Sequence, residues 1–329
     1  MSDTAELIAR LDRIPVWPYR PRVLWVVGFG FFFAFFDIVT IGFALPLIEQ
    51  QFGISDSLAS WAVTASLLAY IVGSFVVSRI ADHFGRRVAL IISVVLFTGG
   101  SLLSATAGDI WWLIVWRVVS GMGIGAEIAV TSTYLGELSP AKLRGRFTSW
   151  AIFFGFLGFA VVPFVALAVV PNLDWGWRLL FVIGGCGGLV IGIMRRHLPV
   201  SIRWHAAHGE FETAVRHLEE AEEVAEKRLG GPLPPPEKVA HEPAAGGHGL
   251  GELLNPIYRR RLVLLALIWF FYYVGNYAWL TLAPTLLINE GYSLTRSIGF
   301  IAITSTGFVV GALAAVWLSD RMERKVLSG

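Results

Sequence analysis

The chain has 329 residues, 55% of them hydrophobic and only 15% charged, with 13 tryptophans and a net charge of +2. That composition excludes intrinsic disorder and argues against a water-soluble domain. The small positive balance gives no reason to expect nucleic acid as a partner. With one cysteine, Cys186, no disulfide can form within the chain. The seven histidines are scattered, and no metal-ligand spacing occurs, so no metal is expected.

Residues 1–22 are a polar, proline-containing lead. Within it AELIARLDRI has the pattern of a short amphipathic helix, expected to lie on the membrane surface or to fray. The first apolar run is too long for a signal peptide. Eight runs reach the roughly 20 residues a spanning helix needs: 23–45, 60–80, 88–107, 111–135, 147–170, 177–197, 261–284 and 298–318. The fold class is therefore an all-α polytopic membrane protein. It divides into a lead (1–22), a six-helix bundle (23–198), a loop (199–258) and two further spans (259–329). The loop opens with a charged, helical pattern and continues as the Pro/Gly linker PLPPPEKVAHEPAAGGHG.

Alternate loops hold every Lys and Arg except Arg117, Arg178 and Arg296. The positive-inside rule puts those loops, both termini and residues 199–258 in the cytoplasm. The net charge thus reflects topology, and the lipid bilayer is the expected surroundings.

The second and third runs meet at SRIADHFGRR, and the chain closes on a near copy, WLSDRMERK. Gly73, Asp82, Arg86 and Arg87 have counterparts in Gly311, Asp320, Arg324 and Lys325, all offset by 238 residues. Pro46, Gly53 and Ser55 likewise map to Pro284, Gly291 and Ser293. A repeated helix–loop–helix unit implies two similar halves, a site between them and a rocking mechanism. The acid–base cluster is expected to latch helices on the cytoplasmic side. Its partners would be Glu137 and the KLRGR turn with Arg144 and Arg146.

Three charges lie inside spans, where a lone charge is costly and normally faces a cavity or a partner. Asp37 sits about 12 Å, and Arg117 about 9 Å, in from the outer membrane face, counted from Leu45 and from Trp111. They are nearly level, so an Asp37–Arg117 pair is feasible. Glu127 lies deeper, level with Thr131, and faces a cavity or a neighbouring helix. Gly121 and Gly125 in the same span permit close helix contact. In the seventh run Tyr273, Asn276 and Tyr277 fall within one turn, a candidate set of neutral substrate ligands. At the position of Asp37 that copy has Gly275, so the halves have diverged there.

These residues resemble the major facilitator superfamily. SRIADHFGRR is close to its inter-span motif G-x-x-x-D-R-x-G-R-R. Its fourth-span pattern R-x-x-x-G-x-G-x-G, then Y-x-x-E-x-x-P-x-x-x-R-G, is met by Arg117, Gly121, Gly123, Gly125, Tyr134, Glu137, Pro140, Arg144 and Gly145. LPVSIRWHAAHGEFETAVRHL resembles the sugar-porter P-E-S-P-R-W-L text but departs at Val200, Ile202 and His205. The resemblance implies the major-facilitator fold, a proton-coupled acid at Asp37, its Arg117 partner and a substrate site between halves. Ala151 and Ile152 stand where sugar porters carry a glutamine, which argues against a hexose site. Glu127, in GIGAE, is closer to organic-acid and metabolite symporters. The family has twelve spans, so spans nine to twelve are expected to be missing here.

The expected function is proton-coupled symport of a small polar metabolite, an organic acid or sugar-like, by a monomer in the cell membrane. Asp37, Arg117 and Glu127 would couple the proton. Arg117, Tyr273, Asn276 and Tyr277 would bind substrate. Gly73, Asp82, Arg86, Arg87, Glu137, Arg144, Arg146, Asp320 and Arg324 would form the gate. No cofactor beyond the coupling proton is implied. An uncoupled facilitator or a receptor signalling through 199–258 are the alternatives. No nucleophile–base set is present, and GMGIG lies inside a span, so an enzyme is not expected.

Overall fold

The computed structural model describes residues 4–236 and 255–318. All eight expected spans are helices. In chain order they are α2 (Arg22–Phe52), α3 (Asp56–Phe84), α4 (Arg86–Ala105), α5 (Ile110–Leu138), α6 (Arg144–Val169) and α7 (Gly176–Arg195). Then follows a broken seventh span: α10 (Pro256–Tyr277), a π-helical turn (Ala278–Leu282) and α11 (Ala283–Asn289). The last is α12 (Leu294–Leu318). Outside the spans lie α1 (Thr4–Asp12), α8 (Ile202–Ala207) and α9 (Phe211–Leu229).

Local chemistry sets the boundaries. Asp109 caps α5 by accepting from the Trp111 and Trp112 amides at 2.9 and 3.0 Å. Gly85, at φ 89°, breaks α3 from α4. The repeat survives as geometry. Gly53 and its counterpart Gly291 both have positive φ, 62° and 90°. Ser55 and Ser293 each accept an amide three residues on, at 3.4 Å.

Helices α2–α7 pack into one bundle with α5 at its centre, against α3 and α4. Small residues allow this. A Cβ on Gly73 would fall on the Met122 carbonyl, and one on Gly125 on the Tyr70 carbonyl. The last two spans touch this bundle mainly through α12 on α6 and through the π turn and α11 on α2. Most of α10 is exposed.

The lead differs from the expectation. The apolar face of α1 is not spread on a membrane surface. Leu7, Leu11 and Ile14 are buried with Ile202 of α8 and Ala214, Leu218 and Ala221 of α9. Ion pairs frame this small core: Glu222 accepts from Arg10 at 2.6 Å and from Arg13 at 2.8 Å. Desolvation pushes the Glu222 carboxyl up, but those hydrogen bonds outweigh it and hold it below its ordinary range. The Glu222 hydrogen bond raises Arg10 in return. Period alone reveals an apolar face; it cannot reveal that α8 and α9 cover it.

Candidate functional site

The charge of Asp37 is set in a phenylalanine-rich helix and has no exposed surface to speak of, at 1%. Arg117 of α5 donates from Nη1 to Asp37 Oδ2 at 2.8 Å. Ser120, almost one turn on, donates to the same oxygen at 2.5 Å. Ser101 of α4 donates to Oδ1 at 2.6 Å. Arg117 also lies 5.2 Å from the Phe181 ring centre on α7. One carboxylate thus ties α2 to α4 and α5. The guanidinium grips it through one nitrogen, and Arg117 Nε is buried with no partner among the described residues.

A second buried pair lies further along the same bundle. Arg195 of α7 donates from Nη1 to Glu127 Oε2 at 2.6 Å and from Nη2 to Oε1. Ser93 and Thr131 complete the shell of Glu127 at 2.7 and 3.0 Å, and Leu90 O accepts from Arg195 at 2.6 Å. Gly30 makes room, since a Cβ there would fall on the Arg195 guanidinium. Glu127 therefore faces neighbouring helices, not a cavity. Its two-pronged clamp differs from the single prong on Asp37. By position in the chain Arg195 belongs with the basic loop; in the fold it is fully buried, while its neighbour Arg196 is exposed. No sequence signal separates those two arginines.

Between the two halves lies a cavity of about 490 Å³. Tyr70 and Ile71 of α3 form one wall; Trp269, Phe270, Tyr273 and Tyr277 of α10 form the other. Trp269, Tyr273 and Tyr277 stack in a ladder with ring centres 5.4 and 5.6 Å apart. Asn276 does not line this cavity, but its Oδ1 is buried with no partner among the described residues. Arg117 does not reach it either. Its side chain has no exposed surface in this conformation.

The halves touch on the face opposite the N-terminus. A Cβ on Gly42 of α2 would lie 2.8 Å from the carbonyl oxygen of Thr281 in the π turn. Asn289 donates to Asp56 at 3.2 Å, and Phe156 of α6 stacks on Phe308 of α12 at 5.8 Å. Residues Leu262–Tyr273 of α10, towards the other face, are exposed.

The gate cluster is assembled in part. Arg86 donates to Asp82 and to Glu137, both at 2.8 Å. Arg87 donates to the Arg196 carbonyl. Arg144 and Arg146 are exposed and do not join the cluster. Gly73 sits mid-span in the α3–α5 contact instead, where backbone approach needs a bare Cα. Asp320 and Arg324 lie outside the described residues. The cluster's other partners are ones that sequence reasoning missed. Arg203 donates to Asp12 at 2.6 Å and to the Glu137 carbonyl at 3.2 Å. Trp204 donates to the Asp82 carbonyl at 2.8 Å, and Tyr134 to the Pro199 carbonyl at 2.7 Å. The latch here joins the loop helices to the first bundle, within one half.

Comparison with known proteins gives one consistent picture. The Major Facilitator Superfamily profile matches residues 27–328. A metabolite transport protein of Bacillus subtilis, YyaJ, is 32% identical over 96% of this chain and 70% of its own length. The niacin transporter NiaP of Acinetobacter baylyi is 27% identical over 97% of this chain and 72% of its own. Among solved structures, the xylose transporter XylE of E. coli, partially occluded and inward open, superposes with a TM-score of 0.70. That match covers 93% of this chain and 72% of XylE at 22% identity, a likeness of fold alone.

Proposed function

The chain belongs to the Major Facilitator Superfamily and is a multi-pass membrane transporter, and from that premise we propose that it moves a small ring-bearing metabolite together with a proton. The observation that carries the reading is the buried Asp37–Arg117 pair, with Nη1 2.8 Å from Oδ2 and serine hydroxyls on both carboxylate oxygens. Opposite charges attract strongly where the dielectric is low. Protonating Asp37 removes that attraction and loosens α2 from α5. Gly42 lies five residues further along α2, about 7.5 Å on, where α2 meets the π turn of the other half. One helix therefore carries both the titrating group and a contact between halves. A two-state rocking motion biased by protonation follows.

The cavity suits the cargo. Its volume of about 490 Å³ falls within the 300–1,000 Å³ range usual for small-molecule sites. Stacked aromatic rings offer a flat, largely apolar face, with Tyr70, Tyr273 and Tyr277 among the lining residues. A ring with polar edges, such as niacin or a pentose, matches that lining. Glu127 reads as a fixed clamp, because a bidentate guanidinium and two hydroxyls tie it to α7 and α4. The basic loops support a cytoplasmic side for the N-terminus, α1, α8 and α9.

The test is a pH recording on unbuffered proteoliposomes carrying the protein in its full natural length, with protein-free vesicles subtracted. Adding nicotinate, benzoate or xylose to the outside is expected to raise external pH in step with uptake of the labelled compound. Uptake with no pH change would reject proton coupling in favour of a facilitator.

A further inference from the structure

A groove at the edge of the first bundle has no place in the transport cycle. Where the lead enters α2, a cavity of about 300 Å³ is lined by Tyr19, Arg20, Arg22, His197, His217 and Glu220, among others. A smaller cavity of about 80 Å³ shares Arg22, Val23 and His197 with it and continues along Val26 and Met194. The two form one groove with a basic mouth and an apolar tail between α2 and α7.

Its depth is fixed by the spans. Arg22 is the first residue of α2, and His197 lies two residues beyond the end of α7. The mouth therefore sits where helices leave the membrane, at headgroup level. The tail runs into the hydrocarbon, beside the exposed Trp25, Ile193 and Met194. Two arginines and two histidines line the mouth against one acid, Glu220, which is 65% exposed and 3.2 Å from His217. The wall is preformed. Arg228 donates to the Trp17 and Tyr19 carbonyls at 2.8 and 2.9 Å and so holds the lead in place. The Tyr19 hydroxyl is buried with no partner among the described residues, a hydrogen bond still to be made.

We propose that this groove binds one anionic glycerophospholipid from the leaflet on the face that holds the N-terminus. The phosphate sits between Arg20 and Arg22, and an acyl chain lies along Val26 and Met194. Basic pockets between spans recognise headgroups in this way, each arginine adding to the attraction.

Native mass spectrometry tests this on protein purified from vesicles of phosphatidylcholine with one-fifth phosphatidylglycerol. The wild type is expected to keep one phosphatidylglycerol in preference to phosphatidylcholine. R20Q/R22Q should lower that retention at least about tenfold. Met194→Trp, which fills the tail from its exposed side, should lower it too, and Arg146→Gln, on another surface, should not. Inorganic phosphate should not displace the lipid. Unchanged retention in R20Q/R22Q overturns the proposal. So does displacement by inorganic phosphate, which would make the mouth a simple anion site, and so does equal retention of both lipids.

Discussion

Arg195→Ala is expected to destabilise the protein by about 3–5 kcal/mol, the usual cost of stranding one member of a buried ion pair. Glu127, fully buried, would keep only Ser93 and Thr131 as side-chain partners. The substitution also leaves a cavity beside Gly30, where the guanidinium now packs. The double change E127L/R195M removes both charges and refills the space, and such replacements are often neutral or better. Thermal unfolding in detergent should therefore show a large drop for the single change and recovery of most of it for the double. A single variant as stable as wild type would mean that the pair contributes little.

Gly125→Val is expected to cost about 2–3 kcal/mol by overpacking. The new side chain would meet the backbone of α3 at Tyr70, not a flexible side chain that could swing aside. The contact cannot relax locally, because Gly73 and Gly121 bring the same two helices together on either side of it. Gly99→Ala on α4 is the control, since nothing lies within 4 Å of its added Cβ. The unfolding midpoint should fall for the first change and stay put for the second. Equal midpoints would mean that the two helices stand further apart than this contact requires.

Much of this architecture could be read from the sequence for a plain reason. Spans are long, apolar and counted in membrane thicknesses, so all eight were legible. The Asp37–Arg117 pair was legible because helix rise converts residue number into depth. Its serines were not, since a serine inside an apolar run has many quieter uses. Arg195 was illegible because it adjoins Arg196 at a span end, where basic residues usually anchor to the interface. The gate illustrates the same limit. A duplicated acid–base cluster announced a latch, and Asp82, Arg86 and Glu137 do meet. Its remaining partners, Arg203 and Trp204, come from far along the chain, and only packing of α8 brings them there. Arg144 and Arg146 were nearer in sequence and stayed exposed.

The central claim is that the proton acts by breaking the Asp37–Arg117 pair. Asp37→Asn keeps the shape of the side chain and its place among the serines but cannot lose or gain the charge. The measurement is uptake by Asp37→Asn in proteoliposomes, recorded both as accumulation driven by a proton gradient and as counterflow exchange without one. Accumulation should vanish while exchange persists, because the neutral amide leaves the rocking motion free and uncouples it from the proton. Accumulation at the wild-type level in this variant would contradict the account.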